Sequence, residues 1–543
     1  LRQTAQSSTV HLVSEQTDSG PQLCRKSSPN RQGFKLKKVV AFGAVLFLLA
    51  GCSAPNVSDE AAGDCEIDNT SELCVDNAAN AAPEEPTAEP LPVFELSSLR
   101  EDPEVCKIQE DSRMRSPGDV IPNYGDKRQI RGGYSGNATA FPFNPTTLPI
   151  TGDLNVSFIF VDWEDSQGTQ EDYEYYQGHA QLFEDFYWMA SEHKLKMNIT
   201  FSESWFRIPG SYRDFVIDQA GEAQRGEAPL KQVFYDAAVE ASDEATDYSD
   251  ADIVFYAVPT DKTVFEMGGP HEFNFDWNGY LDTDEGKIYN ITAAGDWWLD
   301  HTEYGGPWLL YVHEVGHMLG IPHQANEDQE FRDESIDWRT VHWLQNPING
   351  YEIMGNQDGP TKTLSSWLRW LPGWLEDDQV ICITEDSVVD EVFELHPIND
   401  ANGKVESLVI RLNETMVVVV ESRRFDPKFD SKIPHSRDGI IAYTVDATKA
   451  TAQGNMALLS PRDITKWLEV DHWRGSQTLD ANFCQGDSVN VGWLKIEAVS
   501  VQDRVDYVRV TKTDEWVDPA APRGVIGEPS FVSNECVKSP GQR

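Results

Sequence analysis

His313, Glu314, His317, Gly320 and His323 are the residues of this 543-residue chain whose types and spacing could do chemistry. They lie in the run GGPWLLYVHEVGHMLGIPH, residues 305–323. Histidines four apart on a helix share one face and stand about one turn, ~6 Å, apart along its axis, so both imidazoles can reach one metal ion. Glu314 follows the first histidine and is offset around the helix, where its carboxylate can hold a water on the metal instead of ligating it. That makes it the natural general base. Gly320 lacks a Cβ and can take the left-handed conformation that ends a helix and turns the chain back, delivering His323 as a third ligand. Three neutral imidazoles with a fourth position open to solvent are the donor set of a catalytic zinc ion, on which water ionises near neutral pH. An H-E-x-x-H alone is weak, because many helices carry such residues on a solvated face. The long form is stronger: with 12 His and 38 Gly in the chain, chance agreement at all five positions is on the order of a few in 10^5.

His313-Glu314-x-x-His317-x-x-Gly320-x-x-His323 resembles the zinc signature of the metzincin metallopeptidases. Those enzymes place a methionine turn beneath the metal, and Tyr351-Glu352-Ile353-Met354-Gly355-Asn356 is similar to it, with Met354 lying 31 residues after His323. The resemblance implies that Met354 supplies an apolar floor under the three imidazoles. Asn356 stands where some metzincins carry a metal-binding tyrosine, so no extra ligand is expected there.

These residues need elements to position them. Leu154–Trp163, LNVSFIFVDW, is apolar enough to be a central strand. A helix is predicted at about 172–193 with Leu182, Phe186, Met189 and Ala190 on one face, then a strand over Lys196–Arg207. A helix at about 228–245 should bury Leu230, Phe234, Ala237 and Ala241, and the strand Asp252–Val258 follows. Residues 287–294, KIYNITAA, read as a further strand just before the histidine helix, a candidate edge for holding an extended peptide. Strands alternating with helices suggest a mixed α/β layer. This order resembles the immune-inhibitor-A family of secreted bacterial metallopeptidases over about 154–510. Phe160-Val161-Asp162-Trp163-Glu164-Asp165 matches that family's strand end, and Ser366-Trp367-Leu368-Arg369-Trp370-Leu371-Pro372-Gly373-Trp374-Leu375 its tryptophan-bearing helix. The family often has aspartate where this chain has His323.

Beyond Gln379 the texture is all-β. Val392–Leu395, Ser407–Leu412, Met416–Glu421, Gly439–Val445, Leu494–Val499 and Val505–Val510 are short apolar runs between turn residues, as in a sandwich. The expected fold class is α+β: a metzincin-like mixed α/β catalytic part over 151–379, a β-sandwich-like part over 380–512 and a tail over 513–543.

The N-terminal region reads differently. Residues 1–30 carry no hydrophobic periodicity. Lys35, Lys37 and Lys38 then precede the apolar run Val39–Ala50 and Leu49-Ala50-Gly51-Cys52, so 1–51 reads as an upstream segment with an export signal. Leu-Ala-Gly-Cys resembles the bacterial lipobox, which implies cleavage before Cys52 and a lipid on its thiol that holds the protein at an extracytoplasmic cell surface. Residues 52–95 have the composition of a disordered acidic tether, and 96–150 reads as a lead-in, in part a propeptide. Cys65, Cys74, Cys106, Cys382, Cys484 and Cys536 suit disulfides in an oxidising compartment. Cys65 with Cys74 would close a small loop, and the other four allow three pairings. A minor alternative makes Cys106 a propeptide thiol that caps the zinc.

With 90 acidic against 44 basic residues the net charge is −46, which disfavours nucleic-acid binding and points to a strongly solvated surface. Asp276, Asn278, Asp282, Asp284 and Glu285 form either a solvated acidic turn or a calcium site, although their spacing fits no standard calcium loop. His271, His301 and His342 are candidates for stabilising an oxyanion, against an ordinary surface or packing role. The function expected is a zinc endopeptidase, exported and membrane-anchored, acting on protein or peptide substrates with Glu314 as base. The alternatives are a surface-binding lipoprotein with a vestigial or structural zinc site, and a zinc hydrolase of a non-peptide bond.

Overall fold

Apolar residues occupy both faces of the strand near 154–163, and both faces are covered. In the computed structural model, β1 (Gly152–Asp162) sends Leu154, Val156, Phe158 and Phe160 into one core and Ile159 and Val161 into another. That is the pattern of a strand buried in a parallel sheet between helix layers. The structure describes residues 94–109, 139–143, 148–215, 228–260, 281–294, 306–322, 324, 348, 351–355, 363–431, 438–449, 454–461, 481–502 and 504–519. The expectations for the export signal, Cys52 and the tether lie outside these residues. So do those for Cys65, Cys74, Cys536, Asp276, Asn278, His271, His301, His323, His342 and Asn356.

α1 (Gln170–Ala190) opens at a capping box in which Thr169 and Asp172 each bind the other's backbone N–H, satisfying donors that the first turn leaves without partners. It buries Tyr176, Ala180, Phe183, Phe186, Tyr187, Met189 and Ala190, whereas Leu182 is only partly buried. The helix stops three residues before 193 because Glu192 and His193 take left-handed φ of 53° and 63°. The strand expected over 196–207 divides into β2 (Leu195–Phe201) and β3 (Phe206–Arg207), both parallel to β1. Between them the Ser202 hydroxyl accepts from Phe160 N at 3.0 Å.

α2 (Ala228–Ser242) covers the other face of the sheet with Phe234, Tyr235, Ala238 and Val239. Ala237 and Ala241 are only partly buried, and the Leu230 side chain lies outside the described residues. β4 (Ile253–Ala257) pairs with β1 on the side opposite β2. The strand expected at 287–294 also divides. β5 (Leu281–Thr283) and β6 (Gly286–Ile288) form a hairpin, while β7 (Ile291–Ala294) joins β4 in parallel. The sheet order is β2-β1-β4-β7, so β7 is an edge among the described residues. α3 (Trp308–Met318) packs on the same face as α1, with Tyr311 edge-on to Phe255 and Phe158 at 5.0 and 5.7 Å.

After the short helix α4 (Ser366–Trp370), eight strands follow among the described residues: β8 (Val380–Thr384), β9 (Asp390–Leu395), β10 (Ser407–Arg411), β11 (Met416–Arg423), β12 (Gly439–Asp446), β13 (Met456–Leu458), β14 (Ser488–Val501) and β15 (Asp506–Val517). They form one sheet in the order β13-β12-β11-β10-β8 and another in the order β14-β15-β9. Ile383, Leu408, Ile410, Val418 and Val420 of the first meet Phe393, Val491, Leu494, Ile496 and Val508 of the second in a shared core, so these strands form a two-sheet sandwich. The opposite face of the five-stranded sheet carries Val409, Val417, Val419, Ile441 and Tyr443 into the core of α1, α3 and α4. The chain is thus a mixed α+β fold in which one β-sheet serves two cores. β8 and β13 had no counterpart among the apolar runs singled out in the sequence.

The lead-in is sewn into this body. Ser97 N donates to Val392 O and Glu101 N to Cys382 O, both at 2.8 Å. Cys106 is disulfide-bonded to Cys382, and this overturns the alternative in which its thiol caps a metal: Cys106 is buried against β8 and β10. Cys484 is disulfide-bonded as well. Thr139 O accepts from Trp367 Nε1 and Ile150 O from Trp374 Nε1 at 2.8 and 2.7 Å. Among the described residues no helix is long and apolar enough to cross a membrane.

Candidate metal centre

α3 is apolar almost all round and is buried on nearly every side, so its two histidines sit inside the protein, His313 6% and His317 3% exposed. A buried imidazole needs partners for both ring nitrogens. Nδ1 of His313 lies 2.8 Å from Ile353 O, and Nδ1 of His317 lies 3.2 Å from Ile321 O. A carbonyl can only accept, so each Nδ1 carries a proton, and in the neutral imidazole that tautomer leaves each Nε2 with a lone pair. The two Nε2 atoms are 3.1 Å apart, on rings set at 90° to each other. Facing lone pairs at that distance repel, and a cation between them removes the repulsion. Two nitrogens 2.0–2.1 Å from a tetrahedral zinc ion would stand about 3.3 Å apart, so the pair fits that ion.

Gly320 supplies the stop. Its φ is +93°, Gly320 N donates to His317 O at 2.9 Å and Ile321 N to Gly316 O at 2.8 Å. These are the paired bonds of a Schellman cap, which needs a residue without a Cβ penalty at this position. The chain beyond it returns to the turn that carries Met354, where Gln324 N donates to Met354 O at 2.9 Å. Between Pro322 and Gln324 stands His323, outside the described residues, so the third ligand remains an expectation. Among the described residues no group of three His, Cys, Asp or Glu side chains could hold a metal. Glu314, between two buried histidines, keeps partial exposure to solvent.

Met354 is fully buried under α3. A Cβ built at Gly316 would come within 2.5 Å of Met354 Sδ and 2.9 Å of its Cε. Gly316, an unspecified position of the motif, is therefore what admits the thioether beneath the histidines. Sequence reasoning passed over it, although a glycine in mid-helix costs ~1 kcal/mol against alanine and was a signal to look for a close approach. Tyr187 on α1 was missed too. Its buried hydroxyl donates to Val312 O at 2.7 Å, and burial holds its pKa well above the ordinary tyrosine value.

The turn is held by groups that no motif marks. Gly355 N donates to Glu352 O at 2.9 Å, and Tyr351 O accepts from Arg423 Nη2 at 2.8 Å. Arg423 is paired at 2.5 Å with Glu421, both side chains fully buried. Glu352 accepts from Met354 N at 3.2 Å and from Ser365 N at 2.7 Å. Burial pushes its carboxyl up to about 7 against the opposing effect of those bonds and of Arg423.

Of the acidic residues considered for calcium, Asp282, Asp284 and Glu285 lie on or beside the β5–β6 hairpin. Asp284 N donates to Asp243 at 3.2 Å. Burial, then the nearby Asp284 and Glu285 charges, raise the Asp243 carboxyl. Compared with models of known families the sequence matches none, and among curated proteins it finds no match.

Proposed function

We propose that this chain is a zinc-dependent endopeptidase of the metzincin type, resembling immune-inhibitor-A enzymes, exported and held on a membrane by a lipid on Cys52. The observation that carries the reading is the pair of Nε2 atoms 3.1 Å apart on one helix, both Nδ1–H groups committed to backbone carbonyls and a buried methionine beneath. A structural histidine pair has no need to present two lone pairs to one point. Bound by His313, His317 and His323, a zinc ion would polarise the scissile carbonyl and acidify water beside it.

Glu314 then takes the proton from the attacking water as its oxygen bonds to the carbonyl carbon, and gives it to the amine nitrogen as the C–N bond breaks. Its partial exposure suits a group that meets both water and substrate. Among the described residues β7 has a strand neighbour on one side only, and its other side suits an extended peptide, which would pair with its backbone N–H and C=O groups. In the test, Glu314→Ala should fold and hold zinc like the parent while casein cleavage falls by at least two orders of magnitude, since general-base catalysis contributes ~10²–10⁴-fold. Retained hydrolysis by that variant would rule the mechanism out.

A further inference from the structure

A single peptide group connects Glu352 to His313. The bond joining Ile353 to Met354 is planar, with its C=O and N–H pointing in opposite directions. Its carbonyl accepts from His313 Nδ1 at 2.8 Å, and its N–H donates to Glu352 Oε1 at 3.2 Å. The other carboxylate oxygen is fixed by Ser365 N at 2.7 Å, at the start of α4. Two peptides earlier, Tyr351 O is held by Arg423, whose partner Glu421 accepts from Ser366 N and from Tyr443 Oη at 2.7 and 2.9 Å.

We propose that Glu352 is a positioning residue of the metal centre, acting through the Ile353–Met354 peptide to orient and polarise His313. The inference rests on the zinc reading above. Metal-bound histidines commonly donate their second N–H to a carboxylate or a carbonyl, which fixes the ring and raises its basicity. Here both kinds of acceptor stand in series, the carboxylate polarising the peptide and the peptide polarising the imidazole. A buried carboxylate is a costly way to hold a turn, even one whose two oxygens each accept from an N–H, Met354 N and Ser365 N. A cation on the far side of the histidine favours the charged form of this carboxyl, which burial alone opposes.

The test uses the full chain, Glu352→Gln, Glu352→Ala and a control, Tyr443→Phe. The control removes a hydroxyl from the same buried network without touching the 353–354 peptide. Zinc dissociation constants by chelator competition, the visible absorption of the Co2+-loaded protein and thermal melting are measured for each. Zinc affinity should drop about 10- to 100-fold in Glu352→Ala, less in Glu352→Gln, which keeps one acceptor oxygen, and both should alter the Co2+ bands. Tyr443→Phe should melt earlier with zinc affinity and Co2+ bands unchanged. Glu352 variants that melt earlier but match the parent in affinity and spectrum would overturn the proposal. If Glu352→Ala does not fold, the isosteric Glu352→Gln decides alone. Failure of the parent chain to take up zinc would instead sink the zinc reading, an outcome seen before any variant is compared.

Discussion

Gly316 shows how a residue without a side chain can set the geometry of a site. In the middle of α3 it is the poorest choice for helix stability short of proline, yet any Cβ there would collide with the Met354 thioether. Gly316→Ala sets two effects against each other. Alanine gains ~1 kcal/mol of helix propensity, and overpacking a filled core costs ~1–3 kcal/mol. Stability should fall by about 0–2 kcal/mol. The proposed metal centre should suffer more, because Met354 must shift and the Ile353 carbonyl bonded to His313 shifts with it. Melting and zinc retention under a chelator would separate the two effects, and zinc retention equal to the parent's would show that the floor yields without disturbing the ligands. The convergence of His313 and His317 was legible in the sequence because it depends on spacing along one helix. Gly316 and Glu352 were not, because their partners are Met354 and the 353–354 peptide, which only the fold brings to them.

Elements were legible to the extent that one covering surface defined them. The strand near 154–163 and the helices near 172–193 and 228–245 are present, with Phe186, Met189 and Ala190 buried on α1 and Phe234 on α2 as expected. α1 is covered by the sheet and by α3, so its apolar arc is wider than the expected face, running also through Tyr176, Ala180, Phe183 and Tyr187, and it leaves Leu182 at the margin. Where α1 ends, a pH-dependent contact follows. Glu406, just before β10, is fully buried, and neither of its carboxyl oxygens has a hydrogen-bond partner among the described residues. Burial first, and then the Glu192 carboxylate beyond the end of α1, raise its pKa to about 9. The neighbouring Arg369 offsets this only in part, since its guanidinium donates to Leu364 O, Ile398 O, Thr363 and Asn399. Below the ordinary value of 4.5, folded and unfolded chains both carry the proton and there is no penalty. As the pH rises from there toward 9 the unfolded chain releases it and the folded chain keeps it, so stability declines. Glu406→Gln, neutral at every pH, removes that decline. Its Tm advantage over the parent should widen from pH 5 to pH 9, and a constant difference would mean that the buried carboxyl is already ionised in the fold.

At the scale of the whole molecule, the five-stranded sheet is the member on which both cores depend. Its strand β11 is buried along its entire length, Met416–Arg423, and the unbroken run MVVVV signals a strand covered on both faces. A boundary drawn where the all-β texture begins passes through that shared packing, because composition reports what a segment is made of and not what lies across from it. The lead-in shows the same limit: poor in periodic apolar residues, it is nonetheless fastened to β8 by Cys106–Cys382, across 276 residues of chain. A cross-link over so long a loop should stabilise by restricting the unfolded chain, by about 2–5 kcal/mol. Cys106→Ser combined with Cys382→Ser should therefore lower the melting temperature clearly. The proposed metal centre should survive below that temperature, since among the described residues the groups that hold His313 and His317 come from α3, the turn after it, the segment around Met354 and β11, and none comes from residues 94–109. Melting of the oxidised parent and the double variant, with zinc content measured on both at low temperature, tests the two parts separately. An unchanged melting temperature would mean that backbone bonds such as Glu101 N to Cys382 O suffice to dock the lead-in. Zinc lost from a folded double variant would mean that strain at β8 is transmitted through β10 and β11 to the turn beneath His313.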